Sequence, residues 1–242
     1  MTFYSTIAPY YDYVFPANPS QIKFLKEIIG EGPKQVLDIA CGNGSYAMAL
    51  SKEGYIITAL DSDKDMIETA KSKADLEEIS IGLVNCSMEE IKSCIEGKFD
   101  AVYCIGNSIV HLESKEKISR FLKDIHSMLN KGGKAIVQMI NYDRIIKHGV
   151  TKLPDISHEP IGLKFLRSYR LAEDKKSISF DTTFSLKEKK QEHSVLLVPL
   201  LKDELIKLSK EAGFKVEGCY GDFEKSVFNE DESYHCIVVL EV

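Results

Sequence analysis

The sequence predicts an α/β fold, in which a mostly parallel sheet carries helices on both faces and a small antiparallel sheet is inserted. Two patterns predict it. Between residues 36 and 140, short apolar runs that suit buried strands alternate with segments of helical periodicity. Between residues 150 and 200, partial period-2 alternation and charged turns replace that rhythm and indicate antiparallel hairpins. The 242 residues fit one domain, which we expect to span 1–242 with an insertion at 150–200.

Composition and charge exclude several classes of protein. The chain is 44% hydrophobic and 28% charged, which is typical of a soluble domain with a sizeable core. Its net charge of -6 argues against a mainly electrostatic grip on nucleic acid. The longest clearly apolar run, Val195–Leu201, is too short to span a bilayer, and the N-terminus does not resemble a signal peptide. We therefore expect a cytoplasmic protein without nucleic-acid or membrane partners, and both monomer and dimer remain open.

The six cysteines bear on metal binding and on the cellular compartment. They form no CxxC pair and no cluster with metal-ligand spacing, so we predict no metal site. Because a signal peptide is also missing, we expect all six to be reduced thiols, most of them buried as small hydrophobic side chains.

Residues 1–30 are predicted to be helical. The run Gln21–Ile29 places apolar side chains on one helical face before the chain reaches Gly30. The preceding segment is rich in tyrosine, and an ordinary explanation is a helix that packs its aromatic rings on the body of the domain. The tyrosines concerned are Tyr4, Tyr10, Tyr11 and Tyr13.

The first unit of the sheet is the stretch around which the chain is organised. Val36–Ala40 is an apolar run that suits a buried strand, Cys41–Gly44 is a glycine turn, and a helix follows from Ser45. Unpaired N–H groups point outward at such a helix start, so the unit predicts a site for a nucleotide-like ligand. The turn also fits a dinucleotide-binding pattern, although an acid at the position of Asp38 would repel a pyrophosphate.

The second and third units extend the same site. The strand Tyr55–Leu60 ends at Asp61, about twenty residues past the glycine turn, where a carboxylate can accept both hydroxyls of a ribose. This reason applies to any cofactor that contains adenosine. Asp61–Met66 then opens a helix, whose start the acids and Ser62 favour. The third strand is predicted over Ile79–Val84.

The fourth and fifth units complete the parallel part of the sheet. The segment Phe99–Leu112 is predicted to form a strand, a turn and the start of a helix. Ile118–Leu129 is an amphipathic helix that ends at a glycine pair, and Lys134–Ile140 is the fifth strand.

The remaining elements are an insertion and a C-terminal strand pair. Antiparallel strands are predicted over Leu163–Leu171, Ser177–Leu186 and His193–Leu200, with charged turns at 173–176 and 187–190. We expect this insertion to cap the substrate pocket. Arg167, Tyr169 and Arg170 could reach an anionic ligand, but exposed strand positions explain them equally well. The predicted C-terminal elements are a helix, Leu201–Ala212, a strand near 214–220 and a last strand, His235–Leu240.

The motifs in this order resemble those of the class I S-adenosylmethionine (SAM)-dependent methyltransferases. The acid and glycine turn over 38–44, the acidic helix start over 61–66, the glycine pair at 132–133 and the Ala-Gly-Phe run at 212–214 all match that family's order. The runs Cys104–Leu112 and Asn141–Ile145 further resemble the glycine/sarcosine N-methyltransferase branch. The resemblance implies a Rossmann-like seven-stranded sheet with an antiparallel C-terminal strand pair.

The resemblance also implies the cofactor and the residues around it. SAM would be bound at its amino-acid end by Asp38 and the glycine loop, at its ribose by Asp61, and at its adenine by Met66 and two residues after the third strand. The turn after the fourth strand would line the sulfonium. The cofactor-binding residues implied are Asp38, Ala40, Cys41, Gly42, Asn43, Gly44, Asp61, Ser62, Met66, Ser87, Met88, Cys104, Ile105 and Gly106.

By the same resemblance, the chain would methylate a nitrogen or oxygen atom of a small molecule by direct in-line displacement. Asn107 and His111 would orient the methyl acceptor, and Tyr11–Asp12 resembles a lid segment that closes over SAM in many small-molecule methyltransferases. Either His111 or Tyr11 could remove a proton. One departure concerns Ile140, where the glycine/sarcosine branch has an arginine that binds the substrate carboxylate, so neither glycine nor sarcosine is the expected acceptor.

Two alternatives from other classes remain open. One is an NAD(P)-dependent oxidoreductase, because a ribose-binding acid after the second strand suits both cofactors. The other is a SAM-binding protein without transferase activity, in which the same fold serves as a sensor or scaffold.

Overall fold

The computed structural model describes residues 6–173 and 176–242. Tyr4 of the tyrosine-rich segment, and Asp174 and Lys175 of the first charged turn, lie outside the described residues.

The described residues form two sheets flanked by helices. The strands are β1 (Gln35–Ile39), β2 (Ile56–Asp61), β3 (Gly82–Asn85), β4 (Phe99–Cys104), β5 (Leu129–Ile140), β6 (Ile156–His158), β7 (Leu163–Leu171), β8 (Ile178–Leu186), β9 (Lys189–Leu197), β10 (Lys215–Tyr220) and β11 (His235–Glu241). The α-helices are α1 (Tyr11–Val14), α2 (Pro19–Ile29), α3 (Ser45–Lys52), α4 (Lys64–Leu76), α5 (Ile91–Cys94), α6 (Lys115–Met128), α7 (Tyr142–His148) and α8 (Lys202–Glu211).

The main sheet has seven strands in the order β10-β11-β5-β4-β1-β2-β3, and the predicted fold class is confirmed. Neighbours among β1 to β5 pair in parallel, whereas β11 is antiparallel to both β5 and β10. The strand order reverses between β1 and β4, so the loops after these two strands diverge and leave a crevice at their carboxyl ends. A sheet of this kind binds its ligand at that edge.

The inserted sheet has four strands in the order β6-β7-β8-β9, all antiparallel. Its edge strand β6 was not predicted, because three residues are too few to show a period-2 pattern. Strand β9 begins at Lys189 and not at His193, since the tight turn at Lys187, with φ 54°, pairs Leu186 directly with Lys189. We call these four strands the roof sheet.

The starts of two other strands also differ from the prediction. Strand β3 begins at Gly82 and not at Ile79, because the Ile79 amide instead donates to Ala74 O and closes the end of α4. Strand β5 begins at Leu129, opposite Phe99, and its register with β4 shifts before Ala101 pairs with Lys134. Each helix within the described ranges is too short or too polar to cross a membrane.

The expectation that all six cysteines are free thiols is wrong for one pair. Cys86, just after β3, and Cys94, at the end of α5, form a disulfide, with their Cα atoms 6.3 Å apart. The short segment between them folds back so that its two ends meet, which a spacing of eight residues does not indicate in a sequence.

A separate apolar cluster joins the N-terminal segment to the roof sheet. Ile7, Ala8 and Val14 pack against Leu163 and Phe165 of β7. This cluster lies over the carboxyl edge of the main sheet, because it also includes Met66 at the start of α4. The N-terminal segment and the roof sheet therefore enclose the crevice between them.

Candidate active site

The crevice holds a cavity of about 390 Å³, a size typical of small-molecule sites. Its wall includes the glycine loop after β1, the turn after β4, the end of β5, the start of β11, the N-terminal segment and the roof sheet. The predicted site residues that line it are Tyr11, Asp38, Ala40, Cys41, Asn43, Ile105, Gly106, Asn107 and His111.

The glycine loop is held in a tight, partly left-handed path. Ala40, Gly42 and Gly44 have φ values of 58°, 56° and 76°. The Gly44 amide donates to Cys41 O at 3.0 Å, and a Cβ added at Gly44 would lie 3.0 Å from the Ala70 Cβ. The loop therefore needs glycine at 44 both for its backbone conformation and for its close approach to α4.

Asp38 presents a buried carboxylate to this cavity. The residue is 2% exposed, and its Oδ2 has no hydrogen-bond partner among the described residues. Burial raises the pKa of the carboxyl group to about 7, with Asp61 adding to the rise and the Tyr103 hydroxyl opposing it. A buried carboxylate oxygen that lacks a partner is a strong acceptor for a cationic ligand group such as an ammonium.

Both carboxylate oxygens of Asp61 accept hydrogen bonds from backbone amides, one of them in the glycine loop. Its Oδ2 accepts from the Gly42 amide at 2.8 Å and its Oδ1 from the Asp63 amide at 2.9 Å. Burial raises the pKa of Asp61, and those two amides oppose the rise. A ribose would therefore use the remaining lone pairs of the two oxygens.

The other predicted residues lie outside the cavity lining. Met66 is completely buried beneath the N-terminal segment and the roof sheet. Ser87 donates to the Glu90 carboxylate, and Met88 packs against the main core. Of the residues that the resemblance assigns to adenosine, the structure thus covers Met66, whereas Ser62 is exposed and Asp61, Ser87 and Met88 are half-buried. The predicted residues concerned are Gly42, Gly44, Asp61, Ser62, Met66, Ser87, Met88 and Cys104.

The N-terminal segment is fastened to the glycine loop by Asp12. Its carboxylate accepts from Asn43 Nδ2 at 2.8 Å, Ser45 Oγ at 2.8 Å and Lys73 Nζ at 2.6 Å. The adjacent Tyr11 ring lies against the loop, 3.2 Å from the position of a Cβ at Gly42. Anything that breaks the Asp12 contacts should free the segment to move.

We expect Asp12→Asn to loosen the N-terminal segment and to lower the hydrogen-exchange protection of the Phe15 amide about tenfold, since a charged acceptor is lost. Partial burial acts to raise the pKa of Asp12, but hydrogen bonds from Lys73, Asn43 and Ser45 outweigh it and lower the pKa. The contribution of the carboxylate is therefore present above the ordinary pKa of about 3.9 and is lost as the pH falls through the lower native value.

Glu68→Gln is the matched control for this prediction, because Glu68 lies on the same helix as Lys73 and makes an exposed ion pair with Lys64 at 3.3 Å. Its removal should leave the exchange of the N-terminal segment unchanged. Equal protection of the Phe15 amide in Asp12→Asn and in the wild type would show that Asp12 does not fasten the segment.

The turn after β4 is tied to two residues that the sequence reasoning missed. The Gly106 amide donates to Gln138 Oε1 at 2.6 Å, which fixes the orientation of that side-chain amide. Gln138 Nε2 must then donate to His235 Nδ1, 3.0 Å away. Burial lowers the pKa of His235 to about 4. The imidazole is therefore neutral and carries its proton on Nε2. The one signal in the sequence was a polar residue, Gln138, within the apolar run of β5.

Asn107 joins the turn to the end of β5. Its Oδ1 accepts from the Ile140 amide at 3.0 Å, and its Nδ2 donates to the Tyr142 hydroxyl at 3.0 Å. The residue has φ 70°, a left-handed conformation that asparagine tolerates better than most residues. His111 follows one short turn later, and burial lowers its pKa, so the imidazole is neutral at neutral pH.

The comparisons with known proteins agree with this arrangement. Residues 36–133 match a family model described as a methyltransferase domain. The chain is 29% identical to the glycine/sarcosine/dimethylglycine N-methyltransferase of Actinopolyspora halophila, over 90% of this chain but 38% of that protein. It is 27% identical to the glycine/sarcosine N-methyltransferase of Aphanothece halophytica, over 88% of this chain and 78% of that protein.

A solved structure shares the whole architecture. A S-adenosylmethionine-dependent methyltransferase from Clostridium acetobutylicum superposes with a TM-score of 0.83, over 100% of this chain and 99% of that one. The two sequences are 14% identical, so this likeness shows the fold alone.

Proposed function

Since the chain belongs to the class I SAM-dependent methyltransferases, we propose that it transfers the methyl group of SAM to a nitrogen atom of a small molecule. One observation carries the proposal: the buried Asp38 carboxylate, with an oxygen that lacks a partner among the described residues, lines the same cavity as Asn107 and His111. The cofactor's ammonium would pair with Asp38, and the acceptor would approach from the side of His111. The names of the two N-methyltransferase relatives support nitrogen as the acceptor atom.

The reaction requires the protein mainly to position the cofactor and the acceptor. The sulfonium already activates the methyl group, so catalysis depends on aligning the nucleophile with the S–CH₃ bond and excluding water. An amine must be neutral to attack. His111, whose pKa burial lowers, would accept a hydrogen bond from the neutral amine without placing a positive charge beside the sulfonium. After the methyl group has moved and the sulfonium has become a neutral thioether, His111 would take up the proton that the methylated ammonium releases. Tyr11, at the glycine loop, would close the cofactor side.

The cofactor's adenosine would lie beside Asp61 and Met66, where the N-terminal segment now packs. We therefore propose that this segment moves outward when SAM enters and closes again over the bound cofactor. Segments held by few polar contacts at a domain edge open at low cost in free energy.

We expect S-adenosylhomocysteine to bind the wild type and to bind Asp61→Asn about ten- to a hundredfold more weakly, because the variant loses a charged acceptor for the ribose hydroxyls and for the loop amides. Isothermal titration calorimetry of both proteins measures this. Asp75→Asn is the control, because it removes the same charge from an exposed position on α4. This variant should bind S-adenosylhomocysteine as the wild type does.

Two outcomes would each contradict the proposed function and favour one of the alternatives. Binding of NADH in place of S-adenosylhomocysteine would indicate the oxidoreductase. Tight S-adenosylhomocysteine binding with no transfer of labelled methyl to any small molecule of a cell extract would indicate a binding protein without transferase activity.

A further inference from the structure

We infer that Arg167 of the roof sheet is the receptor for a carboxylate on the methyl acceptor, and that the acceptor is an amine with a carboxylate and an apolar body. The inference rests on the function proposed above. It is carried by an arginine that lines the cavity and has no acidic partner among the described residues.

The guanidinium of Arg167 is held in place at the cavity wall. One terminal nitrogen, Nη2, donates to Pro154 O at 2.7 Å. The group also lies 5.9 Å from the Phe15 ring of the N-terminal segment and 5.7 Å from the Phe165 ring of β7. Its Nε is buried and makes no hydrogen bond within the part of the chain that the structure describes. Backbone and aromatic contacts thus fix the cation without neutralising its charge.

Arg170, three residues along the same strand, shows the opposite arrangement. Its side chain is 73% exposed and pairs with the Asp181 carboxylate at 3.0 Å. The structure therefore separates the two arginines that the sequence could not tell apart. Arg170 is a solvated strand residue with a counter-ion, and Arg167 faces the cavity without one.

The rest of the lining leaves Arg167 as an uncompensated cation. Among the described lining residues, Asp38 is the one carboxylate, and it lies under the glycine loop at the cofactor end. Burial lowers the pKa of both His111 and His235, so neither imidazole carries charge at neutral pH. A cavity with one fixed guanidinium and no local acid favours an anionic ligand group. A planar carboxylate matches the fork of guanidinium N–H donors.

The other walls of the acceptor side indicate what else the ligand carries. Apolar and aromatic side chains line the cavity together with Arg167 and the β4 turn, namely Ile140, Leu153, Tyr169, Phe180 and Tyr234. Such walls favour an apolar body over a polar one. The acceptor class is therefore an amino carboxylate with an apolar or aromatic side chain.

The test uses protein saturated with S-adenosylhomocysteine and a matched pair of probes, 3-phenylpropanoate and 3-phenylpropanamide, which differ in charge but hardly in shape. We expect the wild type to bind the carboxylate at least about tenfold more tightly than the amide. Arg167→Gln should bring this ratio close to one. Arg167→Lys, which keeps the charge but not the fork, should retain part of the preference. Arg170→Gln is the matched control and should keep the full preference.

Three readouts separate the possible explanations. A merely structural role of Arg167 would weaken both probes together and leave their ratio unchanged. Equal binding of the two probes by the wild type, no binding of the carboxylate, or an unchanged ratio in Arg167→Gln overturns the inference. If the proposed function is wrong, the wild type does not bind S-adenosylhomocysteine. This result is seen before either probe is added and is therefore distinct from the outcomes above.

A second assay follows the reaction itself. With labelled SAM, phenylalanine and leucine should be methylated in preference to phenethylamine and isopentylamine, the same amines without the carboxylate. In Arg167→Gln, kcat/KM for the amino acids should fall about ten- to a hundredfold, mainly through KM. Transfer to the simple amines as fast as to the amino acids would overturn the inference while leaving the proposed function in place.

Discussion

Asp38→Asn is expected to weaken S-adenosylhomocysteine binding by at least about 30-fold, because removing one partner of a buried charge pair costs about 2–5 kcal/mol. The substitution keeps the size and shape of the side chain. It removes the negative charge that would face the ligand's ammonium, at a residue that is only 2% exposed.

The same substitution should stabilise the ligand-free protein above neutral pH. Burial raises the pKa of Asp38 to about 7 in the native state, against an ordinary value of about 3.9 in an unfolded chain. For a group with a raised native pKa, its stability contribution is fully present below the unfolded value and is lost as the pH rises through the native value. At pH 8 the wild type therefore bears a buried charge that asparagine avoids, a difference of roughly 2–4 kcal/mol.

Denaturant unfolding at pH 4 and pH 8, together with calorimetric titration, measures both effects. Asp75→Asn, an exposed acid on α4, is the control for the change in net charge. Loss of ligand binding combined with gain of stability at pH 8 identifies a carboxylate kept for a ligand at the expense of the fold. An Asp38→Asn variant that binds S-adenosylhomocysteine as tightly as the wild type would remove Asp38 from the cofactor site.

Much of the main sheet is predictable because its signals are local. The apolar runs of β1, β2 and β4 are each bounded by residues that end a strand, and the glycines at 42 and 44 mark the turn between β1 and α3. The antiparallel position of β11 is not local. It was predicted from the resemblance to a family, and the structure confirms it.

The acceptor side is less predictable because its contacts join distant parts of the chain. Gln138 and His235 meet across 97 residues of sequence, and neither residue alone signals a site. Arg167 and Arg170 look alike in sequence, and only the fold of the roof sheet places one in the cavity and the other in solvent. The side of the sheet on which each arginine lies depends on the register of the strand, because a one-residue shift would move every side chain to the other face.

The adenosine side shows a further limit. The sequence predicted Tyr11 as part of a lid and Met66 as an adenine contact, each from its own motif. The structure places the N-terminal segment directly over Met66, which is completely buried. A motif assigns a residue to a ligand, but it does not indicate which protein segment covers that residue when no ligand is present.

The second large effect is expected at Asn107, where Asn107→Ala should destabilise the protein by roughly 3–5 kcal/mol. The change leaves the Ile140 amide without its acceptor, and it removes one hydrogen bond from the fully buried Tyr142 hydroxyl, which keeps its interaction with Tyr169. An unsatisfied buried group costs about 1–3 kcal/mol, and a lost hydrogen bond costs about 0.5–1.5 kcal/mol. Alanine also tolerates the φ of 70° less well than asparagine, at a cost of about 1–2 kcal/mol.

Two further variants divide this loss into its parts. Asn107→Gly loses the same hydrogen bonds but accommodates the left-handed backbone, so it should be more stable than Asn107→Ala by about 1 kcal/mol. Tyr142→Phe removes one hydroxyl, which also interacts with Tyr169, and keeps the bond to the Ile140 amide. Because Asn107→Ala and Tyr142→Phe remove a shared bond, their effects on the free energy of unfolding should add to more than the effect of the double variant.

Turnover should fall together with stability, since Asn107 sets the path of the turn that carries His111 into the cavity. A displacement of about 1 Å at a reacting group reduces the rate by roughly a hundredfold. We therefore expect kcat of Asn107→Ala to drop by about that factor at a temperature where the variant stays folded, while S-adenosylhomocysteine affinity changes little. Unchanged turnover with an unchanged unfolding midpoint would mean that the Ile140 and Tyr142 bonds do not position the acceptor side. A drop in stability alone would restrict Asn107 to the fold.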